Sequence, residues 1–163
     1  MKKLYKLPAR IDHIAIAVTD LEEALFLYQG ILGFELLKKR EVKGEFSGMI
    51  AAELDAHGFT IVLIQGTGES SQVSQYVKEY GPGVQHIAIE VEDMESLVHT
   101  LQSKGMEFAT NIINGKNLMQ IFSKRDRNCG MMFEFIKKQD GNAEFEKNSI
   151  QELFQQLEAS GAY

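Results

Sequence analysis

The chain has one cysteine, Cys129, among 163 residues. That excludes an internal disulfide and suits a reducing compartment. Basic charge is also scarce: 17 Lys and Arg stand against 23 Asp and Glu, a net charge of −6. Nucleic acid and anionic membrane are thereby disfavoured as main partners, since phosphate surfaces select basic proteins. No apolar stretch approaches the roughly 20 residues a membrane helix needs. The basic start Met1-Lys2-Lys3-Leu4-Tyr5-Lys6 leads into no apolar run that could form a signal-peptide core. The expectation is a soluble, cytoplasmic protein. A nucleophile–base pair and a phosphate loop are missing too. Gly81-Pro82-Gly83 lacks the dinucleotide-binding pattern and reads as a turn. What is present is globular: 44% hydrophobic and 25% charged residues, enough for one ordinary domain with a core.

Within that frame one phrase occurs twice. With His13 laid on His86, residues 11–23 match residues 84–96 without a gap. With one gap the match continues from Gly33-Phe34-Glu35 to Gly105-Met106-Glu107. Two copies make an internal duplication, not a solenoid. Each opens with a strand rich in β-branched residues. Thr19-Asp20 and Glu92-Asp93 then supply helix-start chemistry. Leu21, Ala24, Leu25 and Tyr28 lie at helical spacing, as do Met94, Leu97, Val98 and Leu101. Gly33 and Gly105 stop those helices. Further strands are expected at 35–42, 46–54 and 59–65 in copy one, and at 108–113, 118–123 and 131–137 in copy two. The unit reads βαβββ, twice: module one spans about 10–67 and module two about 84–138. A short helix at 72–80 joins them. Ser149-Ile150-Gln151-Glu152 fits a capping box opening an amphipathic helix over about 149–160.

A lone histidine on an apolar strand is usually structural. Here two occupy equivalent positions, and a pseudo-twofold would bring them face to face. Side chains alternate on a pleat, so His13 shares a face with Ala15 and Ala17, and His86 with Ala88. Ile14, Ile16, Val18 and Ile87, Ile89, Val91 take the opposite faces and should seat helices. Small residues beside each histidine are expected of a cavity wall. Pleat counting puts Gln85 opposite His86. Glu134 stands in the apolar run Met131-Met132-Phe133-Glu134-Phe135-Ile136. A carboxylate there costs several kcal/mol unless paired or metal-bound. Two histidines and a carboxylate suit a non-haem Fe(II) oxygenase, and zinc with the same ligands would suit hydrolysis. His57 falls in a turn, His99 on a solvated helix face, and Cys129 in a loop.

The duplicated unit with these three positions resembles the vicinal oxygen chelate superfamily, the glyoxalase fold. That implies an α+β fold: two tandem βαβββ modules forming a half-open barrel around a metal, with the C-terminal helix added as a lid, in a single domain over 1–163. The closer resemblance is to the catalytic C-terminal half of the 4-hydroxyphenylpyruvate dioxygenase family. It rests on Ser71-Gln72-Val73 with Tyr76, Gly81–Ala88, Gln120-Ile121-Phe122-Ser123, Phe133-Glu134-Phe135-Ile136, and the tail from Phe145-Glu146-Lys147 to Glu152-Leu153-Phe154.

Carried over residue by residue, this resemblance implies Fe(II) held by His13, His86 and Glu134. It implies substrate contacts from Gln120, Phe122, Gln72, Gln85, Ser47 and Phe145, with Gln65 where the family has an asparagine. Met132 and Ile150 stand where the family has phenylalanines, which remodels the aromatic cage. The implied activity is a dioxygenase that decarboxylates a 2-oxo acid with O₂ and hydroxylates the same molecule. A second resemblance, through Asp12–Val18, is to methylmalonyl-CoA epimerases. It implies a divalent-metal epimerase or isomerase drawing a further carboxylate or amide from copy one, for which Gln65 is the candidate. A metal-free binding protein of the same fold is the third reading. A homodimer would cover apolar surface left by the absence of the family's N-terminal half.

Overall fold

The computed structural model describes residues 9–139 and 147–160. Copy one runs through β1 (Ala9–Ala17), α1 (Leu21–Leu25) with a π-helical turn (Phe26–Ile31), β2 (Glu35–Lys43), β3 (Gly48–Asp55) and β4 (Thr60–Gly66). The joining helix is α2 (Gln72–Tyr80). Copy two follows as β5 (Gly83–Val91), α3 (Met94–Ser103), β6 (Ile113–Asn114), β7 (Leu118–Phe122) and β8 (Met132–Lys138), and then comes α4 (Lys147–Ser160).

All eight strands form one mixed sheet in the order β2-β3-β4-β1-β5-β8-β7-β6. The first strand of each copy runs parallel to its own last strand. The two first strands pair antiparallel at the centre. This is the pseudo-twofold expected from the repeat, and the sheet curls into the half-barrel of the α+β fold.

The duplication extends to local chemistry. Asp20 accepts from the Glu23 N–H at 3.0 Å, and Asp93 accepts from the Ser96 N–H at 3.0 Å. The same capping carboxylate thus starts the helix of each copy. The copies part in the next turn. The segment from His13 to Gly33 is one residue longer than that from His86 to Gly105. The structure absorbs the extra residue as the π turn, where Leu32 N–H reaches Leu27 O at 2.9 Å. The single gap in the internal alignment is that turn.

Bulky faces seat helices on the outside, as read from the sequence. Leu21 and Leu25 pack with Leu54, Leu63, Ile16 and Val18. Met94 and Leu97 pack with Val91, Ile121, Phe135 and Ile89. The small face differs from its expectation. Ala15 and Ala17 are fully buried beneath Val73 and Tyr76 of α2, so this stretch is packed core and not open wall. The small side chains allow α2 to lie close against β1. Two further expectations are corrected. The strand at 108–113 shrinks to Ile113–Asn114 plus one bridge from Phe108 to Ser123. The last helix starts at Lys147, so Ser149 lies within its first turn and is not its cap.

Candidate metal centre

The central pair β1–β5 carries two bulges, and they place the site. Pairing steps from Ile11–Ile89 to His13–Ala88, leaving Asp12 as the extra residue on β1. It steps again from Ala15–His86 to Ile16–Val84, leaving Gln85 as the extra residue on β5. Each histidine is therefore preceded by a bulged polar residue. A bulge re-aims the side chains beside it. Here it turns each polar residue onto the imidazole that follows.

Asp12 Oδ2 lies 2.8 Å from His13 Nδ1, and Gln85 Oε1 takes the same place at His86 Nδ1. Pleat counting had put Gln85 on the far face, and the bulge reverses that placement. Both Nδ1 atoms are thus held from behind, and both Nε2 atoms point at one spot. His13 Nε2 and His86 Nε2 are 3.4 Å apart. Glu134 Oε2 lies 3.3 Å from the first and 3.4 Å from the second.

The residues fit a metal ion. Three ligand atoms in a near-equilateral triangle of this size have a common point about 2 Å from each, just off their plane, as metal–ligand bonds require. Imidazoles held by a partner on Nδ1 present a fixed Nε2 lone pair to a metal. Glu134 is 1% exposed, and its Oε1 has no hydrogen-bond partner among the described residues. An anionic oxygen in that position calls for a cation. Without an ion, a proton supplies the charge. Burial opposes ionisation of His13, yet the carboxylates of Asp12 and Glu134 outweigh it and raise its pKa to about 9. Partial burial opposes ionisation of Asp12 as well, but hydrogen bonds from His13 and Lys138 outweigh it and lower its pKa to about 2. Burial, then the charges of His13 and Arg125, push His86 well below the usual histidine range.

The walls come from copy two and the last helix. Met132 is in register with His86, and Phe122 with Glu134. The Phe122 ring meets the His86 ring edge to face, centroids 5.3 Å apart. Leu153 and Leu157 of α4 pack on Phe122, Met132 and Ile113. Gln120 is fully buried on the Phe122 face of β7. Gln72 is buried in the first turn of α2, and its Oε1 has no hydrogen-bond partner among the described residues.

Other candidates lie elsewhere. Gln65 points to the outer face, where its Oε1 accepts from the Leu21 N–H at 2.7 Å and caps α1. Ser47 donates to the Glu158 carboxylate of α4. Phe145 lies outside the described residues, and of Ile150 only its helical backbone is described. His57 and His99 are exposed, as is Cys129.

Two supporting residues escaped the sequence reading. Asp12 bridges His13 to Lys138 Nζ, and Lys138 ends β8. The signal was available: a polar residue stands before each histidine, at equivalent positions of both copies. Replacing Asp12 with Ala is expected to weaken metal affinity by about 10- to 100-fold, the usual effect of losing a carboxylate behind a ligating histidine. Chelator competition measures it.

A sheet of two matched βαβββ units, curled around two histidines and a carboxylate, defines a class of half-barrel folds with a candidate metal site. The chain belongs to the Glyoxalase/Bleomycin resistance protein/Dioxygenase superfamily, whose family model matches residues 10–142. A curated relative is the 4-hydroxyphenylpyruvate dioxygenase of Pseudomonas aeruginosa, 23% identical over 166 residues, covering 80% of this chain and 46% of that protein. Another is the mitochondrial methylmalonyl-CoA epimerase of Homo sapiens, 26% identical over 133 residues, covering 74% of this chain and 69% of that protein. Among solved structures, a triple mutant of 4-hydroxymandelate synthase from Streptomyces coelicolor superposes with a TM-score of 0.81 at 19% identity, over 94% of this chain and 54% of that one. This chain spans less than half the length of the curated dioxygenase it matches. Family members with curated names include dioxygenases, epimerases and lyases. No helix among the described residues is long and apolar enough to cross a membrane.

Proposed function

We propose that the chain is an Fe(II)-dependent dioxygenase acting on a 2-oxo acid by oxidative decarboxylation and hydroxylation. The observation that carries this reading is the triangle of His13, His86 and Glu134, in which a buried carboxylate oxygen awaits a cation. Bound there, Fe(II) would supply the redox chemistry that couples O₂ to loss of CO₂ and oxidation of the remaining acid.

The chain's own residues do the rest. His13 Nε2, His86 Nε2 and Glu134 Oε2 would hold the ion. Gln120 presents an amide to the oxygens of the acid from the Phe122 face. Phe122 and Met132 wall its side chain. Leu153 and Leu157 close the wall from outside, which excludes water from a reactive intermediate. Met132 offers volume without a ring face, so a phenol ring gains less here than it would against phenylalanine.

The copy-one face beside the triad argues against an epimerase. Thr60, Val62 and Ile64 are the β4 residues in register with His13, Ala15 and Ala17. They offer no carboxylate or amide, and Gln65 is committed to the α1 cap.

Anaerobic purification, Fe(II) loading, and O₂ uptake against a panel of aromatic and aliphatic 2-oxo acids test the proposal. Uptake with stoichiometric CO₂ release is expected for at least one acid. Stoichiometric metal at the triad with no uptake from any acid would sink the dioxygenase reading.

A further inference from the structure

Lys138 is the last residue of β8. Its Nζ donates to Asp12 Oδ1 at 2.5 Å, while Asp12 Oδ2 lies 2.8 Å from His13 Nδ1. β8 and β1 are not neighbours: β5 lies between them, so the contact reaches across a strand. Glu90 stands on that intervening strand, but its carboxylate is taken by Arg10 at 2.7 Å. The Lys138 and Asp12 side chains are 27% and 13% exposed, so this is not the solvated surface pair that contributes little.

The duplication supplies an internal comparison. Thr60 stands to His13 as Met132 stands to His86. Six residues further along these two strands come Gly66 and Lys138. The histidines are therefore backed differently. His13 has a carboxylate behind it, and behind the carboxylate a cation from the last strand of the other copy. His86 has the neutral amide of Gln85, and the place from which the last strand of copy one could send a cation is Gly66. No side chain fits at Gly66: a Cβ there would run into Ser74 Oγ and would lie 2.8 Å from the Ser74 backbone N. Carboxylate and cation occur together on one side, and neither occurs on the other.

A carboxylate behind a ligating imidazole strengthens the imidazole as a donor, and added negative charge favours the more highly charged state of a metal. A lysine bound to that carboxylate offsets the effect while keeping the carboxylate in place. We propose that Lys138 is a positioning residue for the metal: it holds Asp12 behind His13 and offsets its charge, which favours the ferrous state of iron bound at the triad. This inference rests on the iron reading above and not on which acid is the substrate.

A mediated redox titration of the iron-loaded chain, followed by the EPR signal of ferric iron, tests it without turnover. Lys138→Met should lower the potential by about 59 mV or more, a shift of about tenfold toward the ferric state. Lys138→Arg keeps the charge and should stay within about twofold of the parent ratio. Asp12→Asn keeps an acceptor for His13 and removes the charge that Lys138 offsets. In that background Lys138→Met should change the ratio by less than about twofold. No drop in Lys138→Met, or the same drop in the Asp12→Asn background, overturns the proposal. So does a folded Lys138→Met that holds no iron, because an uncompensated carboxylate should tighten the grip of the imidazole. Should Lys138→Met not fold, Lys138→Gln is read by the same criteria. A parent chain that takes up no iron removes the iron reading and this proposal with it. A parent that holds iron, with potentials unmoved by the variants, removes this proposal alone.

Discussion

Replacing Glu134 with alanine is expected to abolish metal binding and turnover together. The side chain supplies the only negative charge among the three ligands, and it is 1% exposed. Two neutral imidazoles cannot balance a buried dication. The loss of affinity should exceed the roughly 100-fold that a residue behind a ligand contributes. Glu134→Gln separates metal loss from misfolding, because it keeps volume and removes charge. It should elute as folded protein with metal below about a tenth of stoichiometry, well short of the full complement that a structural metal affinity maintains. Metal analysis after gel filtration measures both variants. Full metal content and retained activity in Glu134→Ala would remove the triad from consideration.

Leu157→Asp should be nearly as damaging by a different route. Leu157 is 2% exposed and packs with Leu153 on Phe122, Met132 and Ile113. Truncating such a leucine costs about 2–5 kcal/mol, and an unpaired carboxylate in its place costs more. A helix held by a few apolar contacts cannot absorb that, so α4 should undock. The sheet and the triad should remain, because the β1–β5 and β5–β8 ladders hold the three ligand strands together independently of the Met132 contact with α4. The expected result is stoichiometric metal with kcat/KM reduced by about 100-fold, together with O₂ consumed without matching product as water enters. Coupled turnover at the parent rate would show that α4 plays no part in closing the site.

The architecture was legible because duplication wrote it twice. The paired histidines, the capping aspartates at 20 and 93, and the bulky faces of β1 and β5 each recur, and a recurrence is harder to produce by chance than a single motif. Glu134 was legible for another reason: an ionisable group in an apolar strand demands an explanation. The bulges were not legible. Pleat counting assumes strict alternation, and one extra residue inverts it, which is how Gln85 came to be placed on the wrong face. Gln65 misled because resemblance gives a position in a strand but not the face it takes, and the Leu21 amide claims its oxygen. Ala15 and Ala17 were read as space for a ligand. Small residues leave space equally well for a helix, and α2 fills it.

The position of α4 has a consequence for solubility. An open sheet ends in two edges whose free N–H and C=O groups invite pairing with another chain. The edges here are β2 and β6. β6 is only two residues long, too short to template much. β2 is nine residues long, but Lys38, Lys39, Arg40, Glu41 and Lys43 make a strand arriving alongside it desolvate charge. α4 touches both edge strands. Its Glu158 ties it to Ser47 beyond β2, and its Gln156 accepts from the Asn111 N–H just before β6. The helix that shields the chemistry therefore also straps the two open margins of the sheet. An undocked α4 exposes those margins, and a lower solubility limit is its natural companion.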